Sequence, residues 1–145
     1  IPHHQEAIDT SASLLTQTQN TGLKLILVNI MSGQASEIKM MKNRLSENYS
    51  GSDYKSMYMP MMRDTKWITD VSTLEKMYME DMIVHHQGAV DMATKILTII
   101  NQQDPLIRLT EEAMKQREAL KLFAQAIIDA QTKEIIQFQE LLKKN

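Results

Sequence analysis

One element of this sequence occurs twice, and the repetition limits the fold more than any other feature. Ile1-Pro2-His3-His4-Gln5-Glu6-Ala7-Ile8-Asp9 returns as Ile83-Val84-His85-His86-Gln87-Gly88-Ala89-Val90-Asp91, 82 residues later. Gln34-Ala35-Ser36-Glu37-Ile38 returns as Gln131-Thr132-Lys133-Glu134-Ile135, 97 residues later. The chain is therefore one unit built twice. The second copy carries about 15 extra residues between its two elements, near four helical turns shared by two helices.

Apolar spacing makes the unit helical. Ile26, Ile30, Ile38, Met41 and Leu45 recur at helical intervals, as do Leu74, Met77, Met82 and Val90, and then Leu120, Phe123, Ile127, Ile128, Ile135, Phe138 and Leu142. No run of alternating β-branched residues reads as a strand. Breaks fall at Asn20-Thr21-Gly22, at Asn48 to Asp53, at Pro60 and at Asn101 to Pro105. These divide the chain into helices over about 2–19, 22–47, 72–101 and 105–143. Ser72-Thr73-Leu74-Glu75 has capping-box form, and Asp104-Pro105 fits an N-cap followed by Pro at the first helical position. Short breaks within each half make antiparallel hairpins. The expected fold is all-α: an up-down four-helix bundle of two duplicated helical hairpins. It forms one domain over 1–145, with repeat 1 at about 1–48, a Met-rich connector at about 49–69 and repeat 2 at about 72–145.

Composition removes several classes of function. There is no cysteine, so thiolate metal sites, disulfides and thiol nucleophiles are excluded. A net charge of −2 gives no electrostatic reason to expect nucleic acid. No apolar stretch approaches the roughly 20 residues of a membrane span. The chain opens at Ile1 without an export signal, as a mature or trimmed form would, which leaves location open. Glu-x-x-His pairs of the di-iron type, His-Glu-x-x-His and Gly-x-Ser-x-Gly are all absent. The expectation is a binding protein and not an enzyme.

What remains is soft-donor chemistry. Methionine occurs 12 times, and all four histidines, His3, His4, His85 and His86, lie in the repeated element. Met and His are the side chains left to hold a soft ion such as Cu(I), or Ag(I) as its surrogate. Met79, Met82 and His86 fall on one helical face and form a candidate triad. Because adjacent histidines point about 100° apart, one of each pair is expected to bind metal and the other to support it or pack. Asp81 stands four residues before His85 and is a candidate to fix its tautomer; Asp9 and Asp91 are candidates for the other histidines. Met57, Met59, Met61 and Met62 in the connector form a second candidate site, against the simpler reading of a loop that plugs the bundle end. Met31, Met40, Met41, Met77 and Met114 read as core, with Met40 or Met41 near enough to the helix ends to face a site. Trp67 reads as a packing anchor for the connector. Binding through neutral imidazole predicts weakening below about pH 6.

The stretch Met82-Ile83-Val84-His85-His86-Gln87-Gly88-Ala89-Val90-Asp91-Met92-Ala93, with Gln131 to Ile135 after it, resembles the bacterial domain-of-unknown-function family 305. The resemblance covers nearly the whole chain as two copies. It implies a ferritin-like four-helix bundle and, for the family's CopM type, a periplasmic copper-binding protein linked to copper resistance, with other copper-trafficking proteins as partners. It adds Met92 to the candidate ligands. The first copy has Thr10 and Ser11 in place of Met92 and Ala93. The Met that follows Glu-Ile in the family is supplied by Met40 and Met41 in the first copy and replaced by Phe138 in the second. Two other readings compete: a non-covalent haem bundle with His and Met axial ligands, and a structural module whose Met-rich loop is a docking surface.

Overall fold

The computed structural model describes residues 1–48, 58–102 and 109–144. Among them are four helices and no strand: α1 (Pro2–Leu15), α2 (Thr21–Asn48), α3 (Val71–Asn101) and α4 (Glu111–Leu142). The all-α bundle of two hairpins is thus observed. Backbone approaches concentrate within α1–α2 and within α3–α4, with lighter contact between α1 and α3 and between α2 and α4.

The helix ends follow local chemistry. Pro2 stands in the first turn of α1, where its missing N–H leaves nothing unsatisfied. Asn20 Oδ1 accepts the Leu23 N–H at 3.1 Å and so starts α2. α1 stops at Leu15, four residues short of the expected end, because Gln17 and Thr18 turn back onto the Leu14 carbonyl. The N-cap of α3 is Asp70, not Ser72: its carboxylate accepts from the Thr73 N–H at 2.8 Å. A carboxylate two residues upstream wins over the hydroxyl because it also favours the helix N-terminus electrostatically. α4 begins at Glu111 behind a Thr110 cap, with residues 109 and 110 outside the helix. The expected Asp104-Pro105 start lies outside the described residues.

Contacts between the hairpins show how α1 lies on α3. Ser11 Oγ and the Tyr78 hydroxyl are 2.6 Å apart, and Thr18 donates to Glu75. Together with His3 against His85, these pairs run in opposite chain directions, so α1 is antiparallel to the first half of α3. The main apolar cluster joins Ala7, Leu27, Ile30, Met79, Met82 and Phe138, among others. A smaller cluster of Ala89, Ala93, Ala124 and Ile127 lies further along α3. The paired histidines fall between the two along α3, so the site interrupts the core.

Several expected core positions are corrected. Met40 and Met114 are exposed, and Met31, Met41 and Met77 are half-buried. Trp67 is 88% exposed and anchors nothing. The connector is held instead by Arg63, which bonds Asp81 and Glu80 on α3.

Candidate metal centre

Helix α1 presents His3 and His4, and α3 presents His85 and His86; all four imidazoles are buried. The repeat brings equivalent residues together. The rings of His3 and His85 meet face to face, with centroids 3.7 Å apart and planes tilted by 34°. His4 and His86 stand to either side, their centroids 5.9 Å from His3 and 6.0 Å from His85 respectively.

The outer pair and the inner pair differ in their partners. His4 Nε2 lies 2.6 Å from Glu37 Oε2 in hydrogen-bonding geometry. His86 Nε2 lies 2.7 Å from Glu134 Oε2, at an angle outside the hydrogen-bonding range. Glu37 and Glu134 are themselves repeat equivalents, so each half builds its own carboxylate–imidazole pair, of the kind that orients metal-site histidines. The inner pair has no carboxylate this close. Neither nitrogen of His3 or of His85 has a hydrogen-bond partner. Each orphaned polar group in a buried position costs about 1–3 kcal/mol, so the two inner imidazoles are the least compensated polar groups of the site.

Burial keeps them neutral. It pushes His3 down from 6.5 to about 3, helped by the fields of His85, His4 and His86. Burial likewise pushes His85 down to about 4, with His86 adding to the shift. The sequence expectation of proton competition below about pH 6 is corrected accordingly: in the folded protein these two lone pairs survive to about pH 4.

The connector closes one side. Glu6 on α1 accepts the Met61 N–H at 3.1 Å and the Met62 N–H at 3.3 Å, and it accepts the Tyr58 hydroxyl as well. Its Oε2 is 3.4 Å from His85 Nε2. The Met61 side chain then lies over Gly88. A Cβ at Gly88 would stand 3.8 Å from the Met61 sulfur and 3.7 Å from His3 Nε2, so sulfur and imidazole share one hollow. Among the described residues no three His, Asp or Glu side chains are gathered as a finished cage. The donors that fit a soft ion are the orphaned His3 and His85 with the Met61 thioether.

Other expected site residues are placed elsewhere. Met79 and Met82 are fully buried in the apolar cluster, and His86, their supposed triad partner, faces Glu134 and the Phe138 ring. Met62 packs against the same cluster, whereas Met40, Met59 and Met92 are exposed. Met41 is half-buried near the chain's amino terminus, its sulfur 4.0 Å from the Ile1 nitrogen. Met57 lies outside the described residues. None of the three expected aspartates faces a histidine. Gln5 claims Asp9 and Gln87 claims Asp91, each at 2.8 Å, while Arg63 claims Asp81 at 2.6 Å. The supporting acids Glu37 and Glu134 belong to the matched second element of the repeat, and they reach the histidines from a neighbouring helix, where spacing along the histidine helix carries no signal.

Beyond the histidines, towards the thinner end of the core, lies a groove of about 790 Å³ between the hairpins. His3, His4, Met41 and Met92 line one part, and Ala93 and Ile127 another.

The repeated His-His-Gln and Gln-x-x-Glu-Ile elements meet at this one site, and the family model described as Domain of unknown function (DUF305) matches residues 1–142. The chain belongs to the DUF305 family. No curated protein matches this DUF305 chain. Among solved structures it is similar to one described as CopM in the Cu(II)-bound form, with a TM-score of 0.76 and 26% sequence identity over 99% of this chain and 90% of that one. Among the described residues of the DUF305 chain, no helix is long and apolar enough to cross a membrane.

Proposed function

We propose that this DUF305 protein is a non-catalytic copper-binding protein that takes the ion as Cu(I), with Ag(I) as its surrogate, and acts in periplasmic copper sequestration, trafficking or resistance. The observation that carries the reading is the His3–His85 pair. Two imidazoles from separate halves are buried face to face, and none of their nitrogens makes a hydrogen bond, the nearest carboxylate oxygen being Glu6 Oε2 at 3.4 Å from His85 Nε2. Neutral imidazole beside a thioether is a donor set for a soft ion. The likeness to CopM in its Cu(II)-bound form supports copper as the metal, while the choice of Cu(I) rests on the soft donor set. The periplasmic setting rests on the family resemblance.

The test is thermal unfolding with and without Ag(I). An ion that binds only the native state at a hundredfold excess over its dissociation constant adds about 2.7 kcal/mol, which for a chain of this size is a rise in Tm of about 5–10 °C. No rise with either Ag(I) or anaerobic Cu(I) would end the reading.

The groove favours a second reading. Its volume and its His3, His4, Met41 and Met92 wall suit a non-covalent haem. A Soret band on adding haemin, abolished in His3→Leu, would establish it; an unshifted free-haemin spectrum would dismiss it.

A further inference from the structure

The two halves of the site differ at a position one turn from each inner histidine, and also where the Phe138 ring meets His86, since Met41 is the first copy's equivalent of Phe138. Offset by 82 residues, Glu6 corresponds to Gly88. Each stands three residues after an inner histidine, so each sits one turn along its helix from that ring. Because α1 and α3 are antiparallel, each serves the opposite ring. The Glu6 carboxylate approaches His85 Nε2, and the space beside Gly88 is bounded by His3 Nε2. Had both copies kept glutamate, a carboxylate would stand beside each imidazole. Instead the absent side chain at Gly88 leaves a hollow, and the Met61 sulfur and methyl lie within 3.8 Å of where a Cβ would be.

Resting on the copper reading above, we propose that position 6/88 of the repeat sets which ion the site prefers. Gly88 admits the soft Met61 sulfur on the His3 side, and Glu6 supplies a hard oxygen on the His85 side. Thioether and imidazole suit a monovalent soft ion; carboxylate and imidazole suit a divalent one. Glu6 has a second role on the same side, since its bonds to the Met61 and Met62 N–H groups hold the connector over the site. Substitution by Gln keeps an accepting oxygen for those bonds while removing the negative charge, so Glu6→Gln separates the two roles. Met61→Leu keeps the volume and removes the sulfur. Gly88→Glu restores the symmetric carboxylate and fills the hollow.

The experiment measures dissociation constants for Ag(I) and for Cu(II) by competition titration in the wild type and these three variants, with circular dichroism to confirm that each is folded. The readout is the ratio of the two affinities, which a general loss of structure would not shift in opposite directions. Met61→Leu is expected to move the ratio towards Cu(II) by about tenfold or more, and Gly88→Glu to move it the same way. Glu6→Gln is expected to move it towards Ag(I). If the wild type binds both ions and the ratio stays within about twofold in Met61→Leu and Glu6→Gln, the assignment of position 6/88 is wrong while the copper reading stands. If the wild type binds neither ion, both fall together.

Discussion

Replacing His3 and His85 together by leucine should abolish the Ag(I)-induced rise in Tm while leaving the metal-free protein folded. The two halves of that expectation have separate causes. Leucine has no lone pair, so the inner donors are lost and linkage to metal goes with them. The metal-free protein is spared because leucine also removes polar nitrogens that make no hydrogen bond in the folded state. Removing an orphaned polar group returns about 1–3 kcal/mol per site and offsets the imperfect fit of the new side chain. The same change at His4 should behave in the opposite way, because it strands Glu37 without its imidazole. Differential scanning calorimetry with and without Ag(I) reads both variants. A persisting Ag(I) shift in the double leucine variant would move the metal away from the inner pair.

The second large effect is a dependence of stability on pH in the metal-free protein. Unfolded histidine titrates near 6.5, whereas His3 and His85 are held at about 3 and about 4 in the fold. Below pH 6.5 the unfolded chain takes up protons that the folded pair refuses, so acid favours unfolding. The contribution of these residues is complete above pH 6.5 and is lost progressively as pH falls towards 4. Each contributes up to about 1.4 kcal/mol per pH unit within that window, or about 2.7 kcal/mol per unit for the pair. Urea unfolding of the metal-free wild type and of the double leucine variant at pH 7, 5.5 and 4.5 isolates this share from that of the carboxylates. Parallel pH profiles for the two proteins would contradict it. Affinity of the folded protein for Ag(I), by contrast, should hold to about pH 5, since the lone pairs are still free there.

Much of this arrangement is legible in the residues. The repeat fixes two hairpins, and it alone says that His3 must have a counterpart in His85. It does not say that the counterparts touch, because contact depends on α1 crossing α3 in antiparallel order, which Ser11–Tyr78 and Thr18–Glu75 enforce from residues outside the motif. The division of the methionines was illegible for a chemical reason. A thioether is apolar enough to fill a core, as Met79 and Met82 do, and soft enough to serve a metal, the use proposed above for Met61, so helical period does not separate the two uses. The aspartates misled because one-turn spacing shows who can meet and not who competes. Gln5 and Gln87 lie one turn from Asp9 and Asp91 and take them, and Arg63 reaches Asp81 from the connector. Glu37 and Glu134 reach their histidines from neighbouring helices, which no spacing along a single helix reveals.

The meeting of His3 and His85 near an internal two-fold has an evolutionary corollary. Two separate copies of one hairpin would build this centre only with identical residues on both flanks, since a single codon would write both. Joining the copies in one polypeptide frees each flank to mutate alone. A glutamate facing a glycine across the centre is an arrangement that a homodimer of hairpins has no means of encoding.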